Sequence, residues 1–212
     1  MTAANQIDPP VAANDPLATL GEIRTVRDGV EIFTQGAPAE YVYRVLSGTV
    51  RTSRLAEDGR RQIGDFHFAG DVLGLDEGEE HAFSAEALSG CEILVIRRRT
   101  LETAAGGDLM ISEALRRAGS DRLRRMQAHL IQIGRKSAIE RVAAVLAQFA
   151  RRADQEIVDL PMSRQDIADY LGLTIETVSR TLTQLENSAA IAVPTSRRIV
   201  LRNRAALNRL NA

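Results

Sequence analysis

Residues 162–186, MSRQDIADYLGLTIETVSRTLTQLE, constrain the fold more than any other stretch of this chain. Ser163 is a strong N-cap, and Asp166 three residues later completes a Ser-x-x-Asp capping box. Ile167, Ala168 and Leu171 then lie on one apolar helical face. Gly172 suits the left-handed position that ends a helix. Thr174 caps a second helix, whose inner face is Val178, Leu182 and Leu185. The spacing predicts a helix-turn-helix, with the start of its second helix turned outward. Two capped helices around a glycine also describe ordinary core packing. The outer face separates the two readings. A solvated face is usually rich in long Glu and Lys side chains, whereas this one opens with Thr174, Glu176, Thr177, Ser179 and Arg180. Arg pairs bidentately with guanine, a carboxylate accepts from the cytosine amine, and Ser serves either way.

The rest of the sequence bounds the architecture. At 212 residues, 44% hydrophobic and 26% charged, the chain has the composition of a globular protein of one or two domains. It has no apolar run of transmembrane length. The start, MTAANQIDPPVAANDP, does not have the basic-then-apolar pattern of a signal peptide, so a cytoplasmic location is expected. A single cysteine, Cys91, rules out an internal disulfide and a multi-cysteine metal site. The net charge of −1 hides an asymmetry. Residues 1–100 carry 10 Arg against 16 acidic groups, and residues 101–212 carry 17 basic against 12 acidic groups. The C-terminal half is therefore the one suited to a polyanion.

Residues 1–20 have no periodicity and are expected to form a mobile leader. Residues 21–107 carry short β-rich runs (30–33, 42–46, 49–53 and 91–96) with regularly spaced glycine turns, the pattern of a sandwich or barrel. Residues 108–136 form a long helix in which Leu123, Met126, Leu130 and Ile133 make a coiled-coil seam. That seam would either pack on the chain's own β domain or pair with a second copy. Gly134 to Ser137 reads as a hinge. Residues 137–212 hold a further amphipathic helix (Ile139, Val142, Ala143, Leu146 and Phe149 inward), the helix-turn-helix, and two short strands, 191–193 and 199–201. The turn between those strands would be a wing presenting Arg197 and Arg198 to phosphates. The expected fold class is α+β: an N-terminal double-stranded β-roll, a long dimerisation helix and a C-terminal winged helix-turn-helix.

Several segments together carry a family likeness: IFTQG (32–36), VYRVLSGTVR (42–51), DFHFAGDVLGL (65–75) and the helix-turn-helix. On these the chain resembles the Crp/Fnr family of bacterial transcription regulators over nearly all of its length after the leader. Its recognition segment is similar to that of the Fnr and FixK branch, which carries Glu-x-x-Ser-Arg, here Glu176, Ser179 and Arg180, after an apolar residue, here Ile175. The resemblance implies a homodimer on TTGA-N6-TCAA palindromes in double-stranded DNA. Arg180 would take the guanine, Glu176 the opposite cytosine, and Ser179 would lie at the thymines. Ser163, Arg164, Thr174, Thr177, Arg197 and Arg198 would hold phosphates, and RNA polymerase would be contacted from surface loops.

The resemblance also has implications for effectors. Cyclic-nucleotide binders carry a Glu and an Arg-Ser pair where this chain has Asp71, His81 and Ala82. Without the Arg a buried cyclic phosphate lacks its counter-charge, so no cyclic nucleotide is expected. Fnr holds an iron–sulfur cluster on four cysteines. Only Cys91 matches one of them here, and one thiolate does not hold a cluster. Cys91 is therefore expected to be a small buried strand residue. FixK proteins, which lack those cysteines, are controlled chiefly by their own abundance under oxygen-responsive two-component systems, and they activate microaerobic and nitrogen-fixation genes. No cofactor and no catalytic function are expected. The alternative is a haem-dependent, nitric-oxide-responsive regulator of the Dnr/NnrR type. Its axial ligand would come from His67, His81 or His129, of which His67 is expected to be structural, His81 in a loop, and His129 solvated or at the seam.

Overall fold

The computed structural model describes residues 15–76, 78–153 and 157–211. They fall into two compact units, the first ending at Arg124 and the second beginning at Arg125. In the first unit eight strands make two four-stranded antiparallel sheets. One has the order β1 (Gly21–Val26), β8 (Cys91–Arg97), β3 (Tyr41–Ser47), β6 (Val72–Leu73). The other has the order β2 (Glu31–Phe33), β7 (Ser84–Ala87), β4 (Thr49–Leu55), β5 (Arg61–Phe68). Alternation along the strands decides which side chains meet between the sheets. Tyr43, Val45, Ile93 and Val95 from the first sheet face Phe33, Val50, Ala85 and Ala87 from the second. The other face of the first sheet, with Val42, Leu94 and Ile96, is covered by Leu17, Leu101 and Ile111.

Two details revise the sequence reading. The leader is folded by residue 15: Leu17 is fully buried and the Asp15 carboxylate pairs with Arg44. Residues 1–14 of the expected mobile segment lie outside the described residues. A helix, α1 (Arg98–Gly107), follows β8 inside the stretch read as β-roll alone. Its first residue explains its position. Arg98 donates to three backbone carbonyls, Ala39 at 2.7 Å and Asp76 and Gly74 at 2.8 Å each. Only a planar fork of donors satisfies three such acceptors at once.

Helix α2 (Leu109–Arg135) is continuous for 27 residues. Asp108 caps it, accepting from the Met110 N–H at 2.8 Å. Leu123, Met126 and Leu130 of the seam are more than half exposed, as is Ile131, and Ile133 is partly buried. The helix ends at Arg135, inside the expected hinge, and α3 (Ala138–Ala153) starts after two non-helical residues.

In the second unit α3 buries Val142, Ala143, Leu146 and Phe149. Around it stand α4 (Arg164–Leu171), α5 (Ile175–Asn187) and a C-terminal helix, α6 (Arg204–Asn211). Three strands, in the order β10 (Ile191–Ala192), β11 (Arg198–Leu201), β9 (Ile157–Asp159), complete the unit. The sequence signalled β10 and β11 but not β9 or α6. No helix among the described residues is long and apolar enough to cross a membrane.

Candidate nucleic-acid interface

The two helices of the interface are built by their caps. The Ser163 hydroxyl accepts from the Asp166 N–H at 3.1 Å, and the Asp166 carboxylate accepts from the Ser163 N–H at 2.9 Å. This reciprocal box closes the first turn of α4. Gly172 ends the helix at φ 63°, ψ 40°, a left-handed conformation that costs glycine little and a branched side chain much. Two residues on, Thr174 starts α5, its hydroxyl accepting from the Thr177 N–H at 3.2 Å. Ile167, Ala168 and Leu171 of α4 and Val178, Leu182 and Leu185 of α5 are all buried. Their burial fixes the rotation of α5 about its axis.

That rotation leaves Glu176 and Arg180 exposed and Ser179 partly exposed on the opposite side. The Glu176 carboxyl is held below the usual carboxylate range. Its own backbone N–H contributes most, then the Thr174 hydroxyl, with the Arg180 charge adding to them. It is a standing acceptor. Among the described residues the Arg180 guanidinium reaches the Thr177 hydroxyl, at 3.5 Å, and Arg180 is exposed. Arg164 donates to the Ser179 hydroxyl at 3.4 Å, so an expected phosphate-holding residue and an expected base-reading residue touch. Ser163 and Thr174 are occupied as caps, yet their oxygens stay at the surface end of each helix, where backbone N–H groups favour an anion.

The wing separates its two arginines. Arg197 is exposed, with its side chain unpartnered among the described residues. Arg198 forms a two-pronged ion pair across β11 and β9, from Nε to Asp159 Oδ1 at 2.7 Å and from Nη2 to Oδ2 at 2.9 Å. This pair holds the Asp159 carboxyl below its ordinary range. Nothing in the local sequence pointed to Asp159, because its strand was not foreseen. Val193 N–H donates to Glu186 at 2.9 Å and fastens the wing to the end of α5.

His129, expected to be solvated or at the seam, is partly buried. Its ring stacks on Tyr170 of α4, with centroids 4.1 Å apart and an 18° interplanar angle. Gln132 donates to the Arg141 carbonyl at 2.9 Å, and Arg141 to the Leu171 carbonyl at 3.1 Å. These contacts tie the end of α2 and the start of α3 to the first helix of the pair.

The other positions expected to bear on effectors lie in the roll. His81 is buried, stacks on Phe33 at 3.9 Å and has Nδ1 2.9 Å from an Asp76 oxygen, so its loop position is an interior one. Asp71 accepts from the Phe68 N–H at 3.0 Å within a tight turn. Phe83 packs so closely over Gly64 that a Cβ there would lie 2.8 Å from the ring. His67 is buried, with Nε2 3.1 Å from the Thr52 hydroxyl. Cys91 is buried as expected. Its thiol is pushed up by burial and donates to the Thr49 carbonyl at 3.4 Å.

Comparison with known proteins adds what geometry alone does not. Residues 140–210 match the Crp-like helix-turn-helix domain, and residues 23–106 match the cyclic nucleotide-binding domain. The chain is 47% identical over 202 residues to the nitrogen fixation regulation protein FixK of Azorhizobium caulinodans, covering 92% of this chain and 82% of that one. This chain belongs to the Crp/Fnr family. Within it, the likeness to FixK proteins recurs. The FixK of Rhizobium meliloti is 41% identical over 189 residues, covering 89% of this chain and 86% of the relative. The structure of FixK2 from Bradyrhizobium japonicum superposes with a TM-score of 0.84 at 44% identity, over 91% of this chain and 98% of that one. The α+β architecture and the helix-turn-helix read from the sequence are those of this Crp/Fnr chain, and its relatives are transcription regulators.

Proposed function

We propose that this chain is a homodimeric, non-catalytic, cytoplasmic activator of microaerobic and nitrogen-fixation genes that binds TTGA-N6-TCAA palindromes. The observation that carries the proposal is the outward face of α5, where Glu176, Ser179 and Arg180 project from a helix whose inner face is fully packed. Arg180 donates in a fork to guanine, Glu176 accepts from the paired cytosine, and Ser179 lies at the thymines. Ser163, Arg164, Thr174, Thr177 and Arg197 set the register on phosphates. Arg198 takes part to the extent that it leaves Asp159. Two protomers joined along Leu123, Met126, Leu130 and Ile133 put two such helices into successive major grooves, about 34 Å apart. RNA polymerase is contacted from surface loops.

Operator titration at fixed salt tests the assignment. Arg180→Ala should cost about 1–3 kcal/mol on the matched palindrome and lose discrimination at the guanine. Equal losses on matched and mismatched sites would remove Arg180 from base reading.

The roll is read as taking no cyclic nucleotide. At the Arg-Ser position, the His81 imidazole is engaged by Asp76 and Phe33 and offers no guanidinium to a phosphate. The haem-dependent alternative finds no favouring observation, since all three histidine rings are engaged by protein groups. An ultraviolet–visible spectrum of the purified protein, with and without added haem, tests this. A bound chromophore, or operator binding that depends on it, would reverse the reading.

A further inference from the structure

An open pocket of about 520 Å³ lies beside β1 and β2, within the range that small-molecule sites occupy. Its lining includes none of Asp71, His81 or Ala82, although Tyr43, which lines it, stands 6.2 Å from the His81 ring. The floor is apolar: Ile93 and Val95 with the Tyr43 ring, all members of the interior cluster. The charged group set beside this floor is Arg24. It pairs with Ile93 in the β1–β8 register, and residues directly opposite in an antiparallel pair share a face. A guanidinium therefore rises from the exposed edge strand on the face it shares with the buried Ile93, at the open side of the pocket. The Arg24 side chain has no hydrogen bond or ion pair with the described residues.

The other rim charges narrow the ligand. Arg27, Asp28 and Glu31 stand at the mouth, and the Glu31 carboxylate accepts from the Thr34 hydroxyl at 3.0 Å. Of the four rim charges it is Arg24 whose field acts on Tyr43. Burial pushes that phenol up and the Arg24 charge draws it partly back, so the hydroxyl stays protonated near neutral pH and is able to donate. A guanidinium fork and a phenolic donor over an aliphatic floor form a receptor for one anionic group on an apolar body. Two carboxylates at the mouth oppose a second negative charge, which disfavours a phosphate dianion.

We propose that this pocket binds a small amphipathic carboxylic acid, its carboxylate held by Arg24 and the Tyr43 hydroxyl and its apolar body against Ile93 and Val95. Full-length protein without DNA is titrated with 4-phenylbutyrate and, separately, with its uncharged amide, while backbone amide chemical shifts are followed. The carboxylate should saturate, shifting the amides of Arg24, Tyr43 and Ile93. The amide should bind about tenfold more weakly, and Arg24→Gln should lose about the same factor for the carboxylate. Arg24 is exposed on an edge strand, and an unchanged melting curve checks that the variant is folded. Equal binding of acid and amide, unchanged affinity in Arg24→Gln, shifts confined to other residues, or no saturation at millimolar carboxylate would each overturn the proposal. The readout does not involve an operator, so a negative result leaves the DNA reading untouched.

Discussion

Gly48 shows how tightly single positions constrain the roll. It sits at φ 85° between β3 and β4, and a Cβ there would lie 2.5 Å from the Gly90 carbonyl and 2.6 Å from the Cys91 sulfur. Gly48→Ala should therefore destabilise the protein by about 2–4 kcal/mol, read by chemical denaturation. Cys91 itself gives a pH-dependent expectation. Its folded pKa is raised by burial, so its contribution to stability is present below the unfolded thiol value. That contribution is lost as pH rises through the raised folded value. Iodoacetamide at pH 7.5 should label Cys91 only after denaturation, and rapid labelling of the native protein would contradict the burial. At the interface the same scale explains what the sequence revealed and what it did not. Ser163, Asp166, Gly172 and Thr174 were legible because caps act over three or four residues. The Arg198–Asp159 pair was not, because it joins groups 39 positions apart across a strand pair with no local signature.

Among the elements, α2 and the wing carry the clearest expectations. Leu123, Met126 and Leu130 are exposed on one stripe of α2, more apolar area than an isolated helix face usually leaves in water. Leu130→Glu should shift the protein toward monomer in sedimentation at concentrations where the wild type is dimeric. If both sediment alike, the seam is not the dimer contact. In the wing, Asp159→Asn releases Arg198. The released guanidinium should tighten binding to any duplex without changing discrimination, measured on matched and scrambled sites. Long elements with a repeated period were readable in advance: α2, α3, α5 and the strands with alternating burial. β9, α1 and α6 were not. β9 has three residues, and α1 was hidden because β8 runs straight into it without a glycine or proline between them. The ring partner of His129 was hidden for a related reason. Helical spacing put the histidine near an exposed seam, but its partner, Tyr170, lies 41 positions away.

For the molecule as a whole, salt dependence counts the phosphate contacts. If Arg164 and Arg197 are the cations engaged on each protomer, a dimer neutralises four phosphates, and the slope of log affinity against log salt should be roughly −3.6. Full engagement of Arg198 would steepen it to roughly −5.4. Arg197→Ala should flatten the slope and weaken matched and mismatched sites alike. The acidic N-terminal and basic C-terminal halves make such a small phosphate count reasonable, because net charge alone gives little long-range attraction to DNA. If the exposed stripe on α2 is the contact between two copies, it has a further consequence. A protomer that becomes binding-competent only by finding its twin fills a two-fold operator in proportion to the square of its abundance while it is scarce. A modest rise in synthesis would then produce a disproportionately sharp rise in promoter occupancy, giving the cell a threshold without any small-molecule signal.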